Sequence, residues 1–345
     1  MAKIVLLGEA WGEHEERERT PFVGPTGYLL HEMLTEAGIH PTECYKTNVF
    51  NLRPVGNRIE TLCGPKEGGL RGYPSLLPGR YVQAEYQSEL DRLFEELNEV
   101  APNVVVAFGN TALWALTGMN NIGTQRGFTY LSEYGPVGLK VLPTYHPAAA
   151  LRLWELRSIV VMDLRKAKRE SEFKKLRRPQ REVWIEPTLE DLERFYEQYI
   201  VGCKILSVDI ETSGRLVTCI GFAPRSDVSL VIPFYDSRGK GKSYWPDVES
   251  EAEALGFVSR VLDTPLPKLF QNGLYDIAFL HRAWETPVGT VRVNVRNAAE
   301  DTMLLHHALQ PESLKGLGFL GSVYTNEQNW KQMRERSTRT IKPDN

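Results

Sequence analysis

A carboxylate, an aromatic ring, a side-chain amide and an imidazole stand in short Gly- and Pro-bounded elements of the first 152 residues. The elements are Gly8-Glu9-Ala10-Trp11-Gly12, Pro21-Phe22-Val23-Gly24, Thr47-Asn48-Val49, Arg53-Pro54 with Asn57-Arg58, and His146-Pro147 followed by Arg152. This set suits the holding of an unstacked base and cleavage of its glycosidic bond. Phe22 offers a ring face. Asn48 can donate and accept along a pyrimidine edge. His146, held extended by Pro147, can donate to the carbonyl that becomes anionic as the base leaves. Glu9 can steady an oxocarbenium-like sugar or orient water. Gly8 and Ala10 flank it as base-binding positions, and Arg53, Arg58 and Arg152 are expected to contact DNA. Taken singly, each has a plainer role: a core ring, a turn cap, a structural imidazole. Their joint, ordered occurrence favours the chemical reading.

A second constellation lies further along. Asp209 and Glu211 are two apart in an apolar run, so on a strand they share a face, about 6–7 Å apart along the chain. With Asp276 they are expected to ligate Mg2+ or Mn2+, for in-line attack of water on a phosphodiester. Asn272 precedes Asp276 on the turn into a helix. A D-x-E pair alone is weak evidence; on its own it is more often an exposed strand end.

The elements that must position these residues alternate between strand and helix patterns. Strands are expected at 3–7, 45–52, 103–108 and 137–142, and helices at 27–37, 83–100 and 109–116, with an irregular Gly/Pro-rich loop at 54–79. That order predicts a parallel three-layer α/β/α domain over 1–165, with its ligand beyond the carboxyl ends of the strands. Residues 166–182 are expected to be a basic linker. From Arg165 to Glu182 there are nine Lys or Arg against three Asp or Glu. A solvated helix end plus linker is favoured there over a phosphate-contacting strip. A second α/β unit is expected over 183–345. Its strands are expected at 183–185, 205–211, 217–223, 228–234 and 268–271, and its helices at 188–199, 249–262 and 273–284.

The chain has 345 residues, enough for two domains, and a net charge of −3. It is therefore no general polycationic coat, and DNA contact must use local patches. Its four cysteines form no C-x-x-C pair and no signal peptide precedes them, so a reducing cytoplasm is expected. No apolar run is long enough to span a bilayer, so no membrane partner is expected.

The N-terminal elements resemble the uracil-DNA glycosylase superfamily, nearest its family 4 branch. The matches are Gly8-Glu9-Ala10, Pro21 to Gly24 with Gly27, Thr47-Asn48, Arg53-Pro54, Asn57-Arg58, and His146-Pro147 with Leu151-Arg152. The resemblance implies uracil or modified-pyrimidine excision from DNA that is single-stranded or carries a flipped base. Trp11 stands where that family has proline, and Ala10 where other branches carry a water-activating Asp. The family's iron–sulfur cysteines have no counterparts, so no cluster is expected.

The second half resembles the 3′–5′ proofreading exonuclease domain of family A DNA polymerases, a ribonuclease H-like fold with a mixed sheet. Ser207 to Gly214 and Gln271 to Leu280 carry that resemblance. It implies that Asn272 binds DNA and helps position the second of these motifs. Its third motif, Y-x-x-x-D, is absent: Asn297 takes the tyrosine position before Ala298-Ala299-Glu300-Asp301, and Tyr324 has no Asp four residues later. The expectation is the front of a phage or bacterial polymerase-like protein with impaired nuclease activity. Two explanations stay open, a fragment continuing into a polymerase domain or a natural short product. The alternative function is a non-catalytic module that binds uracil or single-stranded DNA.

Overall fold

The computed structural model describes residues 2–214, 216–236, 238, 242–282, 284–286, 289–327 and 329. The chain forms two compact units. The first is Met1–Arg178 with the segment from Gly318 onward; the second is Pro179–Leu317.

The first unit contains β1 (Ile4–Ala10), α1 (Glu13–Glu18), α2 (Gly24–Glu36), β2 (Cys44–Phe50), α3 (Gln87–Val100), β3 (Val104–Phe108), α4 (Gly109–Thr117) and α5 (Ile122–Gln125). The short β4 (Tyr130–Leu131), then β5 (Lys140–Thr144), α6 (Pro147–Arg152) and α7 (Leu156–Glu170), follow. The sheet order is β2-β1-β3-β5-β4. β1, β2, β3 and β5 are parallel neighbours, and β4 runs antiparallel on β5. Buried on both faces, the central strands are continuous apolar runs, as parallel strands between two helical layers must be. Val5, Leu7, Val105, Ala107 and Val141 pack with Leu90, Leu93 and Trp114 on one side. Ile4, Leu6, Val104, Val106 and Leu142 pack with Leu30, Met33, Val160 and Leu164 on the other. Period-two alternation thus builds two apolar layers and the expected α/β/α sandwich.

Several boundaries differ from those the sequence pattern predicts. The strand expected at 137–142 lies at Lys140–Thr144, because Gly135 and Gly138, both at positive φ, hold 135–139 in a turn. The loop at 54–79 carries three short 3-10 turns and a two-residue strand, Cys63–Gly64, that pairs with Tyr81–Val82. The basic stretch is no free linker at its start: α7 continues to Glu170, and Lys166, Glu170 and Ser171 are buried. Periodicity could not show that, because the partners burying them include residues more than 150 positions later.

The second unit contains β6 (Glu182–Trp184), α8 (Leu189–Phe195), β7 (Leu206–Ser213), β8 (Leu216–Arg225), β9 (Val228–Pro233), α9 (Val248–Leu262), β10 (Lys268–Phe270), α10 (Gly273–His281), β11 (Ala298–Asp301) and α11 (Thr302–Leu309). α8 opens on a capping box between Thr188 and Asp191. Its six-stranded mixed sheet runs β11-β10-β7-β8-β9-β6. β7, β8 and β9 form an antiparallel meander, while β10 is parallel to both β7 and β11. Leu206, Val208 and Ile210 enter a core with Ile220, Phe222, Leu230, Ile232 and the α9 residues Ala254, Leu255 and Val258. The alternate residues Asp209 and Glu211 are exposed. The last helix, α12 (Leu317–Tyr324), returns the chain to the first unit. Composition predicts a loose polar tail from Thr325 to Asn345; Thr325 and Asn326 are instead hydrogen-bonded to Lys166 and Glu170, and residues 328 and 330–345 lie outside the described residues.

Candidate active site

At the carboxyl ends of β1 and β2 a cavity of about 430 Å³ opens. Its wall includes Glu9, Phe22, Asn48 and His146, with Ala10, Trp11, Phe108 and Arg152 around them. Sequence-distant residues meet there because parallel strands deliver their ends to one edge.

Close backbone approach explains two of the glycines. A Cβ on Gly8 would lie 2.1 Å from Asn48 Oδ1 and 2.9 Å from Phe22 Cζ. A Cβ on Gly27 would lie 1.9 Å from the Phe22 carbonyl oxygen. Phe22 itself has φ of 56°, an uncommon left-handed backbone for an aromatic residue. That turn sets its ring edge-on to Phe108, with centroids 5.7 Å apart, and nearly parallel to His146, 6.2 Å away.

The imidazole has a defined proton arrangement. The Ala148 N–H donates to His146 Nδ1 at 3.2 Å. Burial drives the ring's pKa down to about 4, so it is neutral near pH 7. A neutral ring that accepts at Nδ1 carries its proton on Nε2, leaving an N–H donor. Glu9 shifts the other way. Burial raises its carboxyl above the ordinary value, the Thr111 hydroxyl that donates to Oε2 opposes this, and Glu60 adds to it.

Asn48 is buried, and its strand is pinned from below by Arg92. One guanidinium nitrogen donates to the carbonyls of Asn48 at 2.9 Å and Val49 at 3.1 Å; the other reaches Glu96 at 2.7 Å. Motif and spacing assign no role to Arg92 or Thr111. Thr111 follows the glycine turn that ends β3, a place where a site residue could be sought. Arg92, inside a surface helix, carries no local signal. Of the expected DNA contacts, Arg152 lines the cavity. Arg53 instead holds the loop, donating to Asn57 at 2.7 Å and pairing with Glu13 and Glu16 on α1. Arg58 is exposed outside the cavity wall. Trp11 lines the cavity, and its buried Nε1 has no hydrogen-bond partner among the described residues.

In the second unit, Asp276 is buried and its Oδ1 accepts from the Ile210 N–H at 3.1 Å. Burial pushes its carboxyl up to about 6, with the charges of Asp209 and Asp301 adding and the Ile210 N–H opposing. Desolvation by the surrounding protein, then Glu211, raises Asp209. Asn272, at φ of 59°, opens α10, and its N–H donates to Asp301 Oδ1 at 3.1 Å. Asp301 Oδ2 accepts from Gly273 and Oδ1 also from Met303. Its oxygens are therefore committed to backbone amides. Among the described residues, no group of three His, Cys, Asp or Glu side chains is placed to hold a metal ion. The expected Asp209, Glu211 and Asp276 metal cluster is thus not formed with the side chains as they lie. Strand alternation puts Asp209 and Glu211 on one face, but Asp276 is turned to a backbone amide. The described cysteines are all free thiols. No helix of the described residues is long and apolar enough to cross a membrane.

The model of the uracil DNA glycosylase superfamily matches residues 1–177. The chain belongs to the uracil-DNA glycosylase superfamily. It is 36% identical over 169 residues to the type-4 uracil-DNA glycosylase of Thermotoga maritima, covering 48% of this chain and 76% of that one. It is 32% identical over 214 residues to the type-4 enzyme of Sulfurisphaera tokodaii, covering 60% and 80% respectively. A DNA polymerase of Bacillus phage SP01 is 26% identical over 164 residues, 47% of this chain but 15% of the polymerase. The cavity lies wholly within the part that the superfamily model matches.

Proposed function

We propose that the first unit takes a uracil flipped out of DNA into the cavity and hydrolyses its N-glycosidic bond. The observation that carries this is the joint cavity of Glu9, Phe22, Asn48 and His146, whose Nδ1 accepts from the Ala148 N–H and so leaves Nε2 to donate. Phe22 stacks on the base. The Asn48 amide reads the pyrimidine edge, where a thymine or cytosine presents a different outline or donor pattern. As the bond to the sugar lengthens, negative charge gathers on the base carbonyl, and the His146 N–H stabilises it without a proton transfer. Glu9, ionised, faces the cationic sugar carbon and orients the attacking water. Arg152 at the cavity wall supplies positive charge for a flanking phosphate.

Release of uracil from a labelled single strand tests this. His146→Ala and Asn48→Ala are each expected to lower the single-turnover rate about 100-fold or more, the cost of losing one donor to a developing anion. No release from the unaltered protein under any condition would remove the reading.

A second reading is favoured by Ala10 and Trp11: a module that holds uracil-containing DNA without cleaving it. Tight binding with an intact glycosidic bond would select it.

For the second unit, the antiparallel meander flanked by parallel strands, with Asp209 and Glu211 on one face of β7 and Asp276 in the first turn of α10, supports a ribonuclease H-like exonuclease fold. With the side chains as they lie, Asp209, Glu211 and Asp276 are not gathered around a metal site, so no phosphodiester step is assigned to this unit. Its role in this reading is to hold a single strand. The similarity to the phage polymerase supports a polymerase as the functional partner of the glycosylase unit.

A further inference from the structure

Charged side chains are buried at both ends of β5, the strand that delivers His146. Lys140, its first residue, is fully buried; Nζ donates to Glu170 Oε2 at 3.0 Å and to the carbonyls of Glu170 and Phe173 at 2.6 Å. Thr144, its last residue, donates through Oγ1 to Asp163 Oδ2 at 2.7 Å. Asp163 is also paired with Arg126, whose Nε donates to Oδ2 at 3.0 Å. The backbone N–H of Gly127 donates to the Pro143 carbonyl at 2.8 Å. Arg126, Asp163, Lys166 and Glu170 are all nearly inaccessible to solvent. Each must therefore find its partners within the protein.

The remaining partners come from the segment that follows the second unit. Arg126 Nη1 donates to Ser322 Oγ at 2.8 Å, and the guanidinium lies over the Phe319 ring at 5.0 Å. Ser322 Oγ in turn donates to the Phe319 carbonyl at 2.7 Å. Lys166 Nζ donates to Gly127 O at 2.6 Å, Ser322 O at 2.9 Å and Thr325 O at 2.6 Å. Two of its three acceptors thus belong to the returning segment. Asn326 Nδ2 donates to Glu170 Oε1 at 2.8 Å. Gly127, at φ of +75°, makes room: a Cβ there would lie 3.1 Å from the Ser322 Cβ and 2.9 Å from Asp163 Oδ1.

We propose that residues 318–327 are a clasp for the glycosylase unit. They complete the buried charge network that fixes β5, and Ser322 and Asp163 act as positioning residues for His146. This rests on the proposed function, in which His146 is the donor to the leaving base. The physical need is geometric. A displacement of about 1 Å in a positioned group can cost about 100-fold in rate, and His146 lies two residues beyond the strand end that Asp163 holds. A network lacking the Ser322 hydroxyl and the Ser322 and Thr325 carbonyls would let that end move.

Two measurements on the full chain test the clasp. Hydrogen exchange of the amides in 140–146, and the 15N resonances of the His146 ring, are read in Phe319→Ala, Ser322→Ala and Ser322→Thr. Single-turnover uracil release and affinity for uracil-containing DNA are read alongside. The expected result is faster exchange across 140–146 and a shifted His146 signal in Phe319→Ala and Ser322→Ala. Their release rate is expected to fall about tenfold, with affinity changed less than about twofold, because a misplaced donor acts on the transition state. Ser322→Thr, which keeps the hydroxyl, is expected to restore all three. Unchanged exchange and an unchanged His146 signal in both alanine variants would overturn the clasp. A protein that releases no uracil but shows the exchange and resonance changes would overturn the proposed function and leave the clasp standing.

Discussion

At the scale of single residues, the site works by setting two neighbouring acids and bases in opposite directions. Burial lowers His146 to about 4 and raises Glu9 above its ordinary 4.5. A neutral His146 donor therefore persists down to about pH 4, whereas the Glu9 carboxylate is lost as pH falls through its raised pKa. The acid limb of uracil release is expected to lie above the ordinary glutamate value. It should vanish in the residual activity of Glu9→Gln, as read from a single-turnover pH–rate profile. A limb that persists in that variant would assign it elsewhere. Stability changes with pH through the imidazole in the same direction. Between pH 4 and 6.5 the unfolded chain takes up a proton that folded His146 refuses, so this residue's contribution rises with pH across that window and is complete above it. The glycines set the other limit. Gly27→Ala places a methyl against the Phe22 carbonyl, which is backbone and cannot swing aside. About 1–3 kcal/mol of lost stability is expected, with a larger loss of activity as Phe22 is displaced. Urea denaturation and the release assay check it together.

At the scale of elements, β5 is the strand with most at stake, since it ends two residues before His146. Its first residue forms an ion pair with Glu170 in which both side chains are at most 2% exposed. Lys140→Met alone leaves a buried carboxylate without its cation and is expected to cost about 3–5 kcal/mol. The double change Lys140→Met with Glu170→Leu should recover a large part of that, because apolar packing then replaces the pair. Equilibrium unfolding of both variants measures the difference; equal losses would show that Lys140 acts through the Glu170 and Phe173 carbonyls instead. The same element shows why local patterns have limits. Val137 and Leu139 extend the apolar run and so displace the predicted strand, while two glycines at positive φ keep 135–139 out of the sheet. Pattern likewise makes 166–182 a linker, though α7 runs to Glu170, because a run of cations looks solvated when the carbonyls that bury it are distant in sequence.

At the scale of the whole molecule, two units occupy one chain, and the second is inserted before the last segment of the first. The proposed reading assigns bond cleavage to the first unit alone and routes none of it through a metal, so uracil release should be indifferent to metal. Uracil release is expected to be unchanged by chelator and by Asp209→Ala. Metal-dependent shortening of a 3′ end is expected to be absent with either Mg2+ or Mn2+, since Asp209, Glu211 and Asp276 are not gathered to hold a metal ion. Shortening that needs manganese and disappears in Asp209→Ala would show instead that the carboxylates rearrange around metal and that the second unit is a working nuclease.

The alternation of the main strands and helices, the three-layer fold of the first unit and the four residues of the cavity were legible in the sequence, whereas the helices at Glu13–Glu18, Pro147–Arg152 and Leu156–Glu170 were not. Each legible feature rests on local information: alternation of apolar residues, glycine and proline at turns, and short motifs at strand ends. Parallel strands then carry those motifs to one edge whatever lies between them. Tertiary structure alone decided the rest. The tautomer of His146 depends on the Ala148 amide, and Asn48 is held by an arginine 44 residues away. Asp276 turned to the Ile210 amide, and Ser322 reached Arg126 across 196 residues. Such pairings exist only once the chain has closed, because a buried charge selects partners by distance in space, and no spacing along the sequence records that distance.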